Sequence, residues 1–190
     1  MDPLERAARL RQEADDVLRL VRLHEIVRPH SELVPTGSYY LDVMMYPDID
    51  VDVPSMSIPQ LFQVAGQLAE CAQVIQVVFE RSDDPDLPGG LYLKPRVAYG
   101  AWGRPWKIDI WSMDAAVVAA HMTEMRRFKA RLTPALRERI IRYKASILNR
   151  SGRTPMYSGY FIYKAILDEG LSDDAEVTRY LILHGIDMSG

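Results

Sequence analysis

The sequence predicts an α/β (α+β) fold: a small mixed β-sheet flanked by helices, followed by an all-helical C-terminal part. Three observations predict it. Short runs of strand-forming residues, near 32–36, 48–53, 73–80, 91–99 and 106–111, alternate with segments of helical periodicity. From Asp114 onward only the helical pattern continues. Too few strand pairings are local in sequence for a simple meander, so the sheet is expected to be mixed, with helices covering one face. The expected boundary lies near residue 113, between an α/β domain (1–113) and a helical domain (114–190).

The elements follow in order. Asp2-Pro3-Leu4-Glu5 is a helix start, with Asp2 as N-cap, Pro3 in the first turn and Glu5 placed for a capping box. Leu10, Ala14, Val17, Leu18 and Val21 keep helical spacing, so one long helix is expected over 3–27, ended by Pro29. A strand near 32–36, a Gly37-Ser38 turn and a short helix over 39–45 lead to the strand 48–53. Ser57 and Gln60 open a helix over 58–71, and a third strand runs 73–80. A polar loop, 82–90, with two prolines and two glycines, separates it from a strand over 91–99. A turn over 100–105 then leads to the strand 106–111. Helices follow over 115–131, 135–150, 157–169 and 173–184, the second opened by Thr133-Pro134.

A chain of 190 residues can bury about 70% of its unfolded surface, enough for a full core. Its 48% apolar and 26% charged residues set it apart from disordered chains. A single cysteine, Cys71, excludes an intramolecular disulfide and suits a reducing compartment. The N-terminus carries no apolar signal region, and runs such as Ala115 to Ala120 are too short to span a bilayer. A cytoplasmic protein with no membrane association is expected. The four histidines are scattered, which excludes a zinc site built on them, and neither a Walker A stretch nor a nucleophile elbow occurs. The net charge of −3 is unevenly spread: residues 125–153 hold ten Lys or Arg against one acid, Glu138. Such a segment either neutralises phosphates or is a solvated helical face.

The chemistry concentrates at residues 31–53. Asp48, Asp50 and Asp52 alternate with Ile49, Val51 and Val53, placing three carboxylates on one strand face. Like charges that close demand solvent, protonation or a bound cation, whereas a solvated edge strand is the plainer alternative. Separated from Asp48 by nine residues, Gly37-Ser38 follows Leu33-Val34 and can bring backbone N–H groups and a hydroxyl up to a phosphate. In the later strand, Asp109 sits opposite in face to Trp106, Ile108 and Ile110, a costly place for a carboxylate unless it meets water or a cation.

Gly37-Ser38, a spacer, and Asp48-Ile49-Asp50-Val51 resemble the signature of the nucleotidyltransferase superfamily related to DNA polymerase beta. The extended spelling Asp-Ile-Asp-Val-Asp is also similar to antibiotic-modifying lincosamide and aminoglycoside nucleotidyltransferases. Those often carry Gly-Gly-Trp where this chain has Gly37-Ser38-Tyr39. The resemblance implies Mg²⁺ ligation, with two ions, by Asp48, Asp50 and a third carboxylate from a later strand, a place that Asp109 fits. Glu80 and Asp114 are weaker contenders for it, and Asp52 is expected to face solvent or support its neighbours. The same resemblance implies that Gly37 and Ser38 hold the phosphates of a nucleoside triphosphate, and that helices closing over it supply a Lys or Tyr. Lys144 is the residue chosen for that role, from Lys144, Tyr157, Tyr160, Tyr163 and Lys164. Tyr39, Tyr40, Tyr92, Tyr99 and Trp102 either stack on a ligand or pack the fold.

The leading expectation is a metal-dependent transfer of a nucleoside monophosphate to a hydroxyl acceptor, either a small molecule or a protein. One alternative is a nucleotidyltransferase-fold regulator or antitoxin-like partner. The other is an RNA-terminal transferase that uses the basic segment on nucleic acid.

Overall fold

The computed structural model describes residues 1–83 and 90–188; the centre of the polar loop expected over 82–90 lies outside them. Its helices and strands run α1 (Pro3–Leu20), α2 (Leu23–Val27), β1 (Val34–Thr36), α3 (Gly37–Leu41), β2 (Asp48–Pro54), α4 (Ile58–Ala69), β3 (Val74–Arg81), β4 (Leu91–Val97) and β5 (Trp106–Met113). Four helices complete it: α5 (Ala115–Arg131), α6 (Pro134–Ser146), α7 (Ser158–Tyr163) and α8 (Asp174–Leu183). A π-helical turn, Lys164–Asp168, extends α7.

The five strands form one mixed sheet in the order β1-β2-β5-β4-β3. Only β2 and β5 run parallel. A parallel pair needs a long crossover. Here α4 and the β3–β4 pair supply it, and the register sets Asp48 opposite Lys107 and Asp50 opposite Asp109.

One face of the sheet packs Ile49, Val51, Val53, Leu93, Ile108 and Ile110 against Leu10, Ala14 and Val17 of α1 and Leu61, Val64 and Leu68 of α4. Each such Val, Leu or Ile side chain contributes about 1.5–3 kcal/mol relative to exposure. A one-residue slip of β2 would exchange this apolar set for its carboxylates, so burial fixes the register that carries the acids. A second core gathers Phe128, Ile140, Ile141, Ile162, Ile166 and Val177 around Ala7, Leu41, Val43 and Met45. The C-terminal helices therefore pack on residues of α1 and of the segment that leads into β2.

Asp2, Ser57, Asp114, Thr133 and Asp173 cap α1, α4, α5, α6 and α8, and Ser57 with Gln60 makes a reciprocal capping box. The single helix expected over 3–27 is instead two, broken at Arg22, whose φ of 53° is left-handed. The cause is a phase step. Val17 and Val21 are buried four apart, as are Leu23 and Val27, but Val21 and Leu23 are buried only two apart. No straight helix turns both to one face.

Candidate active site

Strand alternation carries Asp48 and Asp50 of β2 and Asp109 of β5 to the face away from the first core. One carboxylate oxygen from each lies within 4.8 Å of the others. Asp48 and Asp109 are each 7% exposed. Burial pushes the Asp48 carboxyl up to about 6, with Lys107 pulling the other way and Asp109 adding to the rise. Asp50 is raised well above the usual carboxylate range, first by burial and then by the charges of Asp48 and Asp109. Three acids this close are not all ionised without a counter-cation.

Lys107 supplies part of that charge. Its ammonium lies 2.6 Å from Asp109 Oδ2 and 3.1 Å from Asp48 Oδ1. Burial would lower the Lys107 pKa, but Asp48 and Asp109 outweigh it and hold the ammonium charged well above its ordinary range. The contact to Asp48 lacks hydrogen-bond geometry, so Asp48 Oδ1 is a buried oxygen without a hydrogen-bond partner. A cluster of hard oxygen donors whose charge a single ammonium offsets only in part fits a divalent cation of the Mg²⁺ kind.

Gly37 opens α3 with a φ of 59°, in the left-handed region. A Cβ there would lie 2.2 Å from Asp50 Oδ2. Glycine is thus required both by the backbone and by the carboxylate against it. Ser38 lies beside the hydroxyl of buried Tyr163, whose pKa is pushed up by burial and then by Tyr46, Asp50 and Asp48, with Ser38 opposing the rise. The turn and the three acids are therefore neighbours.

Lys144 is 2% exposed. Its ammonium donates to the carbonyl of Val43 at 2.9 Å. Burial lowers its pKa to about 8, opposed by Asp50 and Asp48. It is a buried charge rather than one on an open surface.

Asp52 follows its own course. It is 2% exposed, and its Oδ2 lies 3.3 Å from Nδ1 of His121 on α5. That hydrogen bond raises the His121 pKa against the opposing effect of burial. Glu80 pairs with Lys94 at 3.8 Å, and Asp114 accepts from the Ala116 amide as the α5 cap.

Two neighbours of Asp109 are not tied to it by the sequence reading. One is Lys107, which has no role there. The other is Tyr92, read as an aromatic that stacks on a ligand or packs the fold; its hydroxyl donates to Asp109 Oδ1 and its ring stacks on Trp111 at 4.5 Å. The strand period alone places Lys107 beside Asp109, whereas Tyr92 becomes visible only with the β4–β5 register. The other aromatics serve the fold: Tyr39, Tyr99 and Trp102 donate to Asp15, Asp16 and Glu13 of α1.

The basic segment is largely consumed internally. Arg127 and Arg131 bind Asp168, Arg137 binds Asp42, Arg139 binds Asp174, and Arg142 binds Glu138 and Asp2. Lys129 donates to the carbonyls of Tyr40 and Leu41. These side chains tie the helices to one another and to the first half of the chain. Among the described residues, no helix is long and apolar enough to cross a membrane.

No protein-family model matches the chain, and no curated protein matches it. Solved structures do. A cytoplasmic RNA terminal U-transferase matches with a TM-score of 0.52 and 17% identity, covering 80% of this chain and 46% of that one. The Cid1 poly(U) polymerase bound to Mg 3'-dATP gives a TM-score of 0.45 and 20% identity, over 72% of this chain and 42% of that one. Terminal uridylyl transferase 4 from Trypanosoma brucei with bound UPU gives 0.46 and 15%, over 89% and 60%. The chain spans about half the length of these structures. The five-stranded mixed sheet with its helices is a nucleotidyltransferase-type fold. The similarity to antibiotic-modifying members has no counterpart among these three.

Proposed function

We propose that the chain is a metal-dependent nucleotidyltransferase that moves a nucleoside monophosphate from a nucleoside triphosphate to a hydroxyl acceptor. The observation that carries this reading is the meeting of Asp48, Asp50 and Asp109 beside Gly37, at a point where a side chain has no room. Asp48, Asp50 and Asp109 would hold the divalent ions, and their all-oxygen donor set suits Mg²⁺. When bound, such ions neutralise charge on the attacking and leaving oxygens of an in-line displacement.

The chain's own groups do the rest. Gly37 and Ser38 receive the β- and γ-phosphates. Asp109 accepts or orients the proton of the acceptor hydroxyl, and Tyr92 and Lys107 hold its carboxylate in place. The acceptor oxygen forms a bond to the α-phosphorus, the bond to the bridging oxygen breaks, and pyrophosphate leaves. Lys144, buried against Val43, offsets part of the charge of Asp48 and Asp50.

The terminal hydroxyl of an RNA is the acceptor favoured by the fold's likeness to an RNA terminal U-transferase. A small hydroxyl compound is the second reading. It is favoured by one observation: five of the ten cations of the basic segment are engaged in internal ion pairs, and Lys129 and Lys144 donate to backbone carbonyls, rather than being presented to a polyanion.

The test offers the chain each α-labelled triphosphate with Mg²⁺ and a panel of RNA oligonucleotides, sugars, aminoglycosides, lincosamides and proteins. Label transfer with release of pyrophosphate is expected, and its loss in Asp48→Asn. Triphosphate binding without transfer to any acceptor would overturn the enzymatic reading in favour of a regulator.

A further inference from the structure

The two edges of the sheet are built differently. β1 is three residues long and carries Pro35, which lacks an N–H, so that edge is short and blunted. The other edge is β3, which runs eight residues, Val74–Arg81, with no proline and no charge before Glu80. Its bulge lies at its start, between Val74 and Gln76. An edge of that length without Lys or Pro is a template for another strand.

The register tells which backbone groups β3 offers. Beyond the bulge the β3–β4 pairs run from Gln76–Arg96 to Arg81–Leu91, and the Ser82 amide donates to the Gly90 carbonyl in the same register. Opposed residues of an antiparallel pair alternate between bonded and unbonded. Gln76, Val78 and Glu80 therefore bond β4, while Val77, Phe79 and Arg81 turn their N–H and C=O groups outwards. Among the described residues no strand lies beyond them, and no turn hydrogen bond uses them.

Apolar side chains continue along this edge. Phe62 of α4 is 54% exposed and Ile75 is 60% exposed. The Phe62 ring lies 5.0 Å from that of Phe79, centre to centre, and Phe79 and Val77 are only partly buried against the first core. The two ends of the strand carry opposite charges: Arg81 closes β3, and Glu70 ends α4 just before β3 begins. Both are exposed, and among the described residues neither makes an ion pair or a side-chain hydrogen bond.

That arrangement is self-complementary. A two-fold axis normal to the sheet, near the middle of β3, pairs the strand antiparallel with its own copy and keeps residues of one face together. Val77, Phe79 and Phe62 of both copies then form one apolar layer. The same axis carries each Arg81 to the start of the other β3, where Glu70 stands. A strand without an acid at that end satisfies the backbone groups but not Arg81.

We infer that the chain forms a two-fold dimer through antiparallel pairing of β3, with Phe62 and Ile75 in the interface and Arg81 of each copy beside Glu70 of the other. β4 separates this edge from the acids of β2 and β5, so pairing there keeps clear of them. The inference is independent of the nucleotidyl-transfer reading.

Sedimentation equilibrium of the full chain over a series of concentrations tests it. A mass of twice 21.7 kDa is expected at the upper end. Ile75→Lys places a charge on the edge of both copies and should raise the dimer dissociation constant more than about tenfold, as should Phe62→Glu. Glu70→Arg and Arg81→Glu each set like charges together twice per dimer and should weaken it severalfold, whereas the double exchange Glu70→Arg/Arg81→Glu should restore it. Damage to the fold gives no such recovery. Leu183→Lys, at an exposed apolar residue of α8, should change nothing. The inference is overturned by a monomer at every concentration, by a dimer indifferent to Ile75→Lys and Phe62→Glu, by equal loss in Leu183→Lys, or by a double exchange no better than its single parents.

Discussion

Gly37 and Asp50 are packed so closely that a methyl group on the former would sit 2.2 Å from an oxygen of the latter. Gly37→Ala meets two penalties at once. The left-handed backbone costs about 1–2 kcal/mol for a residue with a Cβ, and the methyl must displace the carboxylate. Nucleotidyl transfer should fall well over tenfold and Mn²⁺ affinity with it, while the melting temperature drops by only a few degrees. Parallel Mn²⁺ titrations and thermal melts read both; an Ala variant with native metal affinity would show that Asp50 is not a ligand.

Substituting the acids separates chemistry from stability. Asp48→Asn, Asp50→Asn and Asp109→Asn should each lower kcat by more than about 100-fold, beyond what removing a group that merely orients a ligand costs. Stability should hold or rise at neutral pH, because burial and like charge already press Asp48 and Asp50 towards their neutral forms. Steady-state rates and denaturation curves on the same preparations decide it, and a near-normal rate in any of the three removes that residue from the site.

Acid should stabilise the protein when divalent ions are withheld. The Asp48 carboxyl rises from 3.8 to about 6 in the fold. Between those values the folded chain keeps a proton that the unfolded chain has released, so stability falls as pH rises through the window. For Asp48 alone the loss is on the order of 3 kcal/mol, and Asp50, shifted the same way, extends it upward. Urea denaturation in chelator at a series of pH values should show the decline. Mg²⁺ should reverse it, and Asp48→Asn should flatten it.

Much of this site was legible in the sequence because strand period and burial are local properties. The alternation of Asp48, Asp50 and Asp52 with Ile49, Val51 and Val53 assigns faces before any coordinates are known, and an acid amid Trp106, Ile108 and Ile110 marks β5 as unusual. Three things were not legible. The parallel pairing of β2 with β5, which brings Asp109 level with Asp50, joins segments with no local signal for each other. The partners of the basic segment, Asp2, Asp42, Asp168 and Asp174, lie on other elements, so the sequence displayed a surplus of charge and hid its neutralisation. Lys144 looked like a phosphate ligand by type and position, but its burial beside Val43 follows only from the packing of α6 on the first half of the chain.

The third acid of β2 makes a prediction of its own. The hydrogen bond to Asp52 holds the His121 pKa above 6.5. Any stability from this pair is complete below the unfolded value and is lost as pH rises through the folded one. An NMR titration of the His121 ring should give a value above 6.5 that falls back towards the ordinary one in Asp52→Asn. Catalysis should tolerate that variant far better than Asp50→Asn, since Asp52 turns to α5 and away from the other acids. A transfer rate as low as that of Asp50→Asn would make Asp52 part of the site.

The basic segment should matter to folding more than to substrate. Arg127 Nη2 lies 2.7 Å from Asp168 Oδ2, and Arg131 Nη1 lies 2.8 Å from Asp168 Oδ1. The carboxylate of the π-helical turn is therefore held by two guanidinium groups of α5. Its side chain is 14% exposed, but those of Arg127 and Arg131 are 38% and 50% exposed, so solvent screening weakens the pairs in part. Asp168→Ala leaves both arginines without this acceptor and should cost about 1–3 kcal/mol. Arg127→Ala and Asp168→Ala should be non-additive in a double-mutant cycle, with a coupling of about 0.5–3 kcal/mol. Transfer per folded molecule should be unchanged, and RNA affinity with it. If Arg127→Ala weakened RNA binding while leaving the melting temperature alone, the segment would be a phosphate-binding face after all.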